Sequence, residues 1–328
     1  MTAYKEIQGI SVQTVAGDPP APLEGQIWYN SSTGTFKVYR TAEVGAWATG
    51  NDLNTRREGL RGAGTQTSSL ATGGEGSPAL SPRTTGRTES YNGTNWTEVN
   101  DLNTARRILA AAGASNTSAL AFGGIDAPGS ITGVTESWNG TNWTEVNDLN
   151  TTKFGQGDAG TQTAALSIGG DMPSPTERQQ TETWNGTNWT EVNDLNSFED
   201  RGGSFGTQTS ALVAGGEPGV ATAESWNGTS WSSIASLNTA RRRLAGAGND
   251  NTSGIVFGGY DGTDLGNTEQ WNGSAWSEQN DLNNGRRSLG DSGTTSLALA
   301  FGGTEPQLAD TEEWTLAPSA VTQTITEV

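Results

Sequence analysis

The 328-residue sequence contains no cysteine and no histidine. Without cysteine there is no disulfide, no thiolate nucleophile and no thiolate zinc site. Without histidine the chain lacks the commonest general base near neutral pH and the commonest transition-metal ligand. Neither cofactor nor metal is expected. Basic residues are also scarce: 18 Lys and Arg stand against 36 Asp and Glu, a formal charge of −18. Such a chain repels duplex nucleic acid and acidic lipid surfaces, so partners of that kind are not expected. No apolar run approaches the roughly 18 residues that mark a membrane-spanning helix. No basic stretch followed by an apolar one opens the chain, so no secretory leader is expected either. Hydrophobic residues make up only 32%. That thin supply would suit a disordered chain if it were not periodic.

What is present repeats. Paired glycines stand at Gly73-Gly74, Gly123-Gly124, Gly169-Gly170, Gly215-Gly216, Gly258-Gly259 and Gly302-Gly303, a period of 43 to 50 residues. Each unit divides into four short extended pieces. In the second these are Arg107 to Ala114, Ser118 to Phe122, Val134 to Trp138 and Trp143 to Val146. Asn139-Gly140 separates the last two, and Asn-Gly recurs at Asn92, Asn185, Asn227 and Asn272. Asn-Gly between apolar runs is a strong hairpin signal, because both residues tolerate positive φ. The spacing of the turns leaves no room for an ordinary helix.

A four-stranded sheet cannot bury both faces alone, whereas six stacked around an axis can. The expected fold is therefore all-β, a six-bladed β-propeller with four strands per blade. Its innermost strands would be the small-residue runs such as Leu109-Ala110-Ala111-Ala112-Gly113. A tryptophan precedes each Leu-Asn pair by six residues at Trp96, Trp143, Trp189, Trp231 and Trp276. Trp47 obeys the same spacing without a preceding Asn-Gly, and Trp314 reads as a third-strand aromatic with no outer strand after it. The N-terminal strand is thus expected to complete the C-terminal blade. The domains read as an anchor and linker with a hairpin at 1–45, a propeller at 46–316 and an extended tail at 317–328.

Glycine pairs, a later aromatic, a tryptophan after it and a basic residue opening the next unit resemble the kelch repeat over about residues 45 to 316. Phrases such as Gly64-Thr65-Gln66-Thr67 and Leu237-Asn238-Thr239-Ala240-Arg241 are similar to kelch-like structural and tail-fibre proteins of marine bacteriophages. The segment Glu24 to Gly34 is similar to a hairpin common in phage tail and fibre proteins. The resemblance implies a virion protein made in the host cytoplasm, and it carries no catalytic residues.

Two columns of charge accompany the repeats. Glu89, Glu136, Glu182, Glu224, Glu269 and Glu312 stand two residues before the third-strand aromatic, which puts each on the aromatic's face. Sixteen residues before the glycine pairs come Arg57, Arg107, Lys153, Glu199, Arg242 and Arg286, with Arg201 close to the exception. A ring of carboxylates for metal or acid–base chemistry is one meaning of this pattern. A repeated structural Glu–Arg contact is the other, favoured because chemistry would be expected at one place. The sequons at Asn92, Asn95, Asn139, Asn142, Asn185, Asn188 and Asn227 are explained by turn geometry. Trp28 and Tyr29 lie outside the repeats and are the freer aromatics for stacking on a sugar, with packing inside the hairpin the favoured alternative.

The links between second and third strands do not repeat. They run Glu75 to Thr88, Ile125 to Thr135, Asp171 to Thr181, Glu217 to Ala223, Tyr260 to Thr268 and Thr304 to Thr311, and all should emerge on one rim. Variable loops on a rigid scaffold suit a binding surface. Arg83, Arg87, Asp126, Arg178, Tyr260, Asp261 and Asp264 are the ligand-binding candidates. Asp261-Gly262-Thr263-Asp264 resembles part of a calcium loop but lacks the remaining ligands. Ile7, Ile10, Val12 and Val15, the Pro19-Pro20-Ala21-Pro22 linker and the hairpin from Trp28 to Tyr39 suggest attachment to other virion proteins. The alternating segment Val321 to Thr326 suggests a further strand.

The leading expectation is a non-enzymatic virion protein displaying its propeller for host-surface binding, with a glycan or receptor as partner. Capsid or tail decoration without a host ligand is the alternative, and a propeller glycosidase is a further one. A kelch-like copper oxidase would need histidine and a Tyr-Cys crosslink. A sialidase-like enzyme would need an axial arginine cluster and Asp-box repeats, neither of which is evident. Self-association of the chain stays open.

Overall fold

The computed structural model describes residues 12–76, 83–172, 178–197, 200–304 and 307–325. Ile7, Ile10, Glu199 and Thr326 lie outside them. Among the described residues every regular element is a strand. Contacts divide the chain into two units, residues 1–44 with 316–328, and residues 45–315.

In the larger unit one four-stranded pattern recurs. The first antiparallel sheet runs Arg61–Thr65, Ser68–Thr72, Thr88–Tyr91 and Trp96–Val99. The second runs Ala110–Ser115, Ser118–Phe122, Thr135–Trp138 and Trp143–Val146. The third, fourth and fifth begin at Gly157–Thr161, Gly203–Thr207 and Ala245–Asp250 and close on Trp189–Val192, Trp231–Ser233 and Trp276–Glu278. The sixth joins Gly290–Gly293, Leu297–Phe301 and Thr311–Ile325 in order, with Thr35–Thr49 beside the last of these. Repeated antiparallel sheets of this kind are the material of a β-propeller.

Local chemistry explains each outer hairpin. Asn139 Oδ1 accepts from Thr141 N and Asn142 N at 2.9 Å, and Gly140 takes φ 91°. The chain reverses there and sets Trp138 opposite Trp143, with ring centroids 5.3 Å apart. The second-sequon asparagines join neighbouring sheets, for Asn142 Oδ1 accepts from Asn100 Nδ2 at 2.8 Å.

Apolar layers lie between successive sheets. Leu70 of the first packs with Leu109, Ala121 and Trp143 of the second region, and Phe122 and Leu149 pack with Trp184 and Trp189. Second strands such as Ala119 to Phe122 are buried at consecutive residues, so both their faces are covered. Each outer-strand tryptophan also finds a polar partner across the layer. Trp143 Nε1 donates to Thr88 Oγ1, Trp189 to Thr135 and Trp231 to Thr181, each at 3.1 Å. Trp96 donates to Thr311 Oγ1 at 3.0 Å and Trp47 to Thr268 Oγ1 at 2.9 Å. Where Ala223 replaces the threonine, Trp276 turns to Ala235 O instead.

First strands crowd one another, which is why their residues are small. A Cβ on Gly62 would fall 1.7 Å from Asp291 O. The expected first strand from Arg107 to Ala114 is corrected: Arg106–Arg107 pairs separately with Ile125–Asp126, and the sheet strand starts at Ala110. The loops after the glycine pairs therefore begin on a regular bridge, repeated as Glu58 to Glu75, Phe154 to Asp171, Arg242 to Tyr260 and Arg287 to Thr304.

The smaller unit contains Gln13–Val15 pairing parallel with Ile27–Asn30, which pairs antiparallel with the strand from Thr35. Asp18 organises it, accepting from Trp28 Nε1, Asn30 Nδ2 and Lys37 Nζ at 3.2, 2.9 and 3.1 Å. Trp28 is fully buried and Tyr29 packs against Phe36 at 5.1 Å, so Trp28 is no platform for a sugar.

Candidate functional site

The charge columns meet inside the sheets. Glu89 pairs with Arg57 at 2.9 Å, Glu136 with Arg106 at 3.0 Å, Glu182 with Lys153 at 3.3 Å and Glu312 with Arg286 at 3.2 Å. Glu269 pairs with Arg241. All ten side chains are at least 96% buried. Burial lowers the basicity of Arg57, Arg106, Lys153 and Arg286, and the facing carboxylate opposes it in each case. The second oxygen of Glu136 accepts from Asn103 N and Nδ2 at 2.7 and 2.8 Å, and the other glutamates are held by the matching asparagines. A buried carboxylate whose oxygens already accept from this many donors has little left to offer a substrate.

Two expected members of the basic column are corrected. Arg107 pairs with Glu75 and Arg242 with Glu217, so the buried partners are the preceding Arg106 and Arg241. The cause is a register shift in the inner hairpin, between Ser118 and Ala119 in the second sheet and between Gly248 and Asp250 in the fifth. One extra residue there moves the count back from the glycine pair by one. In the fourth sheet Glu224 is held by Asn196 and Ser197, while Arg201 pairs with Glu217 rather than with Glu224.

Of the loop candidates, Tyr260, Asp261 and Asp264 come together. Arg287 lies over the Tyr260 ring at 4.4 Å and bonds Asp264 at 2.7 Å, while Arg242 covers the ring at 5.2 Å. Asp261 Oδ1 accepts from Thr263 N and Oγ1 at 3.1 Å. Both carboxylates of the calcium-like fragment are thus engaged by protein donors. Arg83 pairs with Glu75 at 2.8 Å, Arg87 with Glu98 at 3.3 Å and Arg178 with Asp171 at 2.8 Å. Asp126 Oδ1 accepts from Ser130 N at 2.7 Å. Among the described residues, these candidates are thus engaged by other groups of the protein.

Sequence reasoning missed the centre of this rim. Six residues in the left-handed region, Gly59, Ile108, Gly155, Arg201, Arg243 and Ser288, have φ between 53° and 66°. They form a chain of backbone hydrogen bonds: Ile108 N donates to Gly59 O, Gly155 to Ile108, Arg201 to Gly155, Arg243 to Arg201, Ser288 to Arg243 and Gly59 to Ser288, at 2.7 to 3.0 Å. The chain ends on the residue where it began. It bounds a recess of about 80 Å³ lined by Leu60, Leu109, Leu244 and Leu289 together with Arg61, Arg201 and Arg243. Three arginines thus line this recess. Arg61 bonds Asp158 at 2.7 Å and reaches Asp291 at 3.5 Å, and Glu217 takes Arg201 at 3.4 Å and Arg243 at 3.1 Å. Only an assembled structure brings Arg61 to carboxylates 97 and 230 residues away. Among the described residues no group of three His, Cys, Asp or Glu side chains is placed to hold a metal ion.

Burial pushes the Asp158 carboxyl up to about 6, with Arg61 opposing and Asp291 adding to the rise. Burial raises Asp291 in the same way. Burial also pushes Asp200 up to about 7, with Arg201 and Arg178 opposing and Asp171 and Glu217 adding. These values exceed the unfolded value of about 3.9. The folded chain therefore keeps protons that the unfolded chain has released, and stability from these groups falls as pH rises through the folded values. A higher urea midpoint is expected at about pH 5 than at about pH 8, with the Asp200→Asn variant losing the upper part of the slope. A midpoint that rises across that interval would contradict the assignment.

No protein-family model matches the chain, and none of the curated proteins matches it.

Proposed function

We propose that residues 45–315 form a six-bladed, kelch-like β-propeller closed by the strand around Trp47. We further propose that the protein is a non-enzymatic bacteriophage virion component that turns its loop rim to the host surface. The closing of the ring is supported by the hydrogen-bond chain that returns from Ser288 to Gly59 and by Gln66 Nε2, which donates to Trp314 O at 2.6 Å. The observation that carries the binding role is the rim itself. Loops of different sequence spring from equivalent bridges, and ion pairs such as Arg178–Asp171 and Arg287–Asp264 tie their described residues together. Side chains already held by such pairs lose less entropy when a partner binds. Attachment through residues 1–45 is supported by Ile27 and Phe36, which are half exposed and share a sheet face by register with Tyr29 and Val38. The phage context rests on the resemblance of the repeats and of residues 24–34.

Labelling the protein on intact particles and measuring host adsorption after replacing the 260–268 loop tests this function. Localisation at an attachment organelle, with adsorption reduced at least about tenfold by the graft, is the expected outcome. A uniform coat on the capsid shell, with adsorption unchanged, would mean decoration without a host ligand.

A further inference from the structure

Six Asn-Gly pairs occur in the chain, beginning at Asn92, Asn139, Asn185, Asn227, Asn272 and Asn284. The first five form the tips of the outer hairpins, where each asparagine is exposed. Glycine has no Cβ to hinder its nitrogen from approaching the Cγ of the preceding asparagine. The five tip glycines are free in a second respect. The N–H of Gly93, Gly140, Gly186, Gly228 and Gly273 donates to no acceptor among the described residues.

At each tip the asparagine Oδ1 accepts from the backbone N–H groups two and three residues on. The distances are 2.9 and 2.8 Å at Asn92 and Asn185, and 2.9 Å for both bonds at Asn139 and Asn227. At Asn272 both are 3.0 Å. Two other asparagines each have half of this arrangement. Asn284 is exposed and precedes Gly285, yet its Oδ1 has no donor among the described residues, and its Nδ2 donates to Asp310 at 2.9 Å. Asn30 Oδ1 has the two donors, Ser32 N at 3.0 Å and Thr33 N at 3.2 Å. Its next residue is Ser31, whose N–H is committed to Val15 O at 2.8 Å.

Attack of the glycine nitrogen on Cγ forms an N–Cγ bond and moves the carbonyl electrons onto Oδ1. Two fixed N–H donors at hydrogen-bond distance stabilise such an oxyanion. We propose that the five outer hairpins are self-modifying sites, at which Asn92, Asn139, Asn185, Asn227 and Asn272 close to succinimides and reopen as aspartate or isoaspartate. The Cγ–Nδ2 bond breaks, and the amide nitrogen leaves as ammonia with the proton given up by the glycine nitrogen. Water then opens the ring at either carbonyl, and nothing is oxidised or reduced. Each event places a carboxylate on a turn that has no charge of its own, Asn-Gly-Thr-Asn at the first three tips. An aspartate keeps both cap bonds. An isoaspartate adds a methylene to the backbone and so disturbs the facing of Trp138 and Trp143 across the turn. The inference is independent of the host-surface reading above.

Incubating the full-length protein in mildly alkaline buffer, with peptide mapping by mass spectrometry at intervals, tests it against Asn284 and Asn30 in the same chain. Each hairpin asparagine is expected to convert at least about tenfold faster than Asn284, with Asn30 unchanged. In concentrated urea, where the donors are lost, Asn284 and the five tips should convert at equal rates. Thr141→Pro removes one donor N–H from Asn139. That site should slow at least about tenfold while the other four tips keep their rates, which also shows that the variant is folded. Should the variant not fold, the comparison within the parent protein decides alone. Tips that convert no faster than Asn284 in the folded protein, or faster in urea than in the fold, would overturn the inference. An unchanged Asn139 rate in folded Thr141→Pro would overturn it as well.

Discussion

A chain lacking residues 1–50 is expected to unfold at a much lower temperature than the full chain. Those residues include Trp47, which is buried, donates to Thr268 and packs its ring 4.8 Å from Phe257 and 5.3 Å from Trp314. They also include Gly45, whose carbonyl accepts from Asn280 Nδ2 at 2.7 Å, and Gly50, whose N–H donates to Thr311 O at 2.8 Å. Truncating a buried tryptophan to alanine costs about 3–5 kcal/mol, against a total stability of about 5–15 kcal/mol for a typical domain. Removing the strand takes that packing and its backbone bonds together, and it leaves Trp314 and Phe257 facing water. Trp47→Ala should show a graded version of the same loss. Equal thermal midpoints for the deletion and the full chain would rule out a closure made by this strand.

Replacing Arg106 by methionine is expected to cost about 3–5 kcal/mol, because it leaves the Glu136 carboxylate buried without its counter-charge. Arg106 also donates to Gly123 O at 3.0 Å and to Val134 O, and both carbonyls would lose a partner. Adding Glu136→Gln to the same chain should recover much of the loss, since the uncompensated charge is then gone. Arg107→Met offers the sharpest contrast. Its side chain is 32% exposed and pairs with Glu75 at the rim, so a change below about 1 kcal/mol is expected in urea unfolding. Equal losses for the two neighbours would mean that the buried pair has been assigned to the wrong arginine.

That pair of neighbours also marks the limit of reading by count. The outer hairpins were legible because their causes are local: an asparagine cap, a glycine with positive φ, and two aromatics facing across the turn, as in Trp138 to Trp143. The glutamate column was legible because the hairpin places each glutamate two residues before an aromatic. Its basic partners lie some 30 residues away along the chain, and a single bulged residue in an inner hairpin moved the count from Arg106 to Arg107. The loop candidates are polar in the sequence, yet nothing there says that Arg287 would close over Tyr260 or that Asp264 would bind Arg287.

By itself the sequence determined the all-strand elements, the four-strand period and the turns, since each depends on residues within a few positions of one another. Tertiary structure alone decided which charges meet. Arg61 in a first strand of otherwise small residues reads as an irregularity until Asp158 and Asp291 arrive from two other sheets. Asp200 reads as one more surface acid until the fold buries it beside Arg201 and leaves Gly155 under it. The physical reason is the same in both cases. Periodicity reports which face of a strand is covered, whereas desolvation and ion pairing depend on the atoms that other repeats bring within a few ångströms.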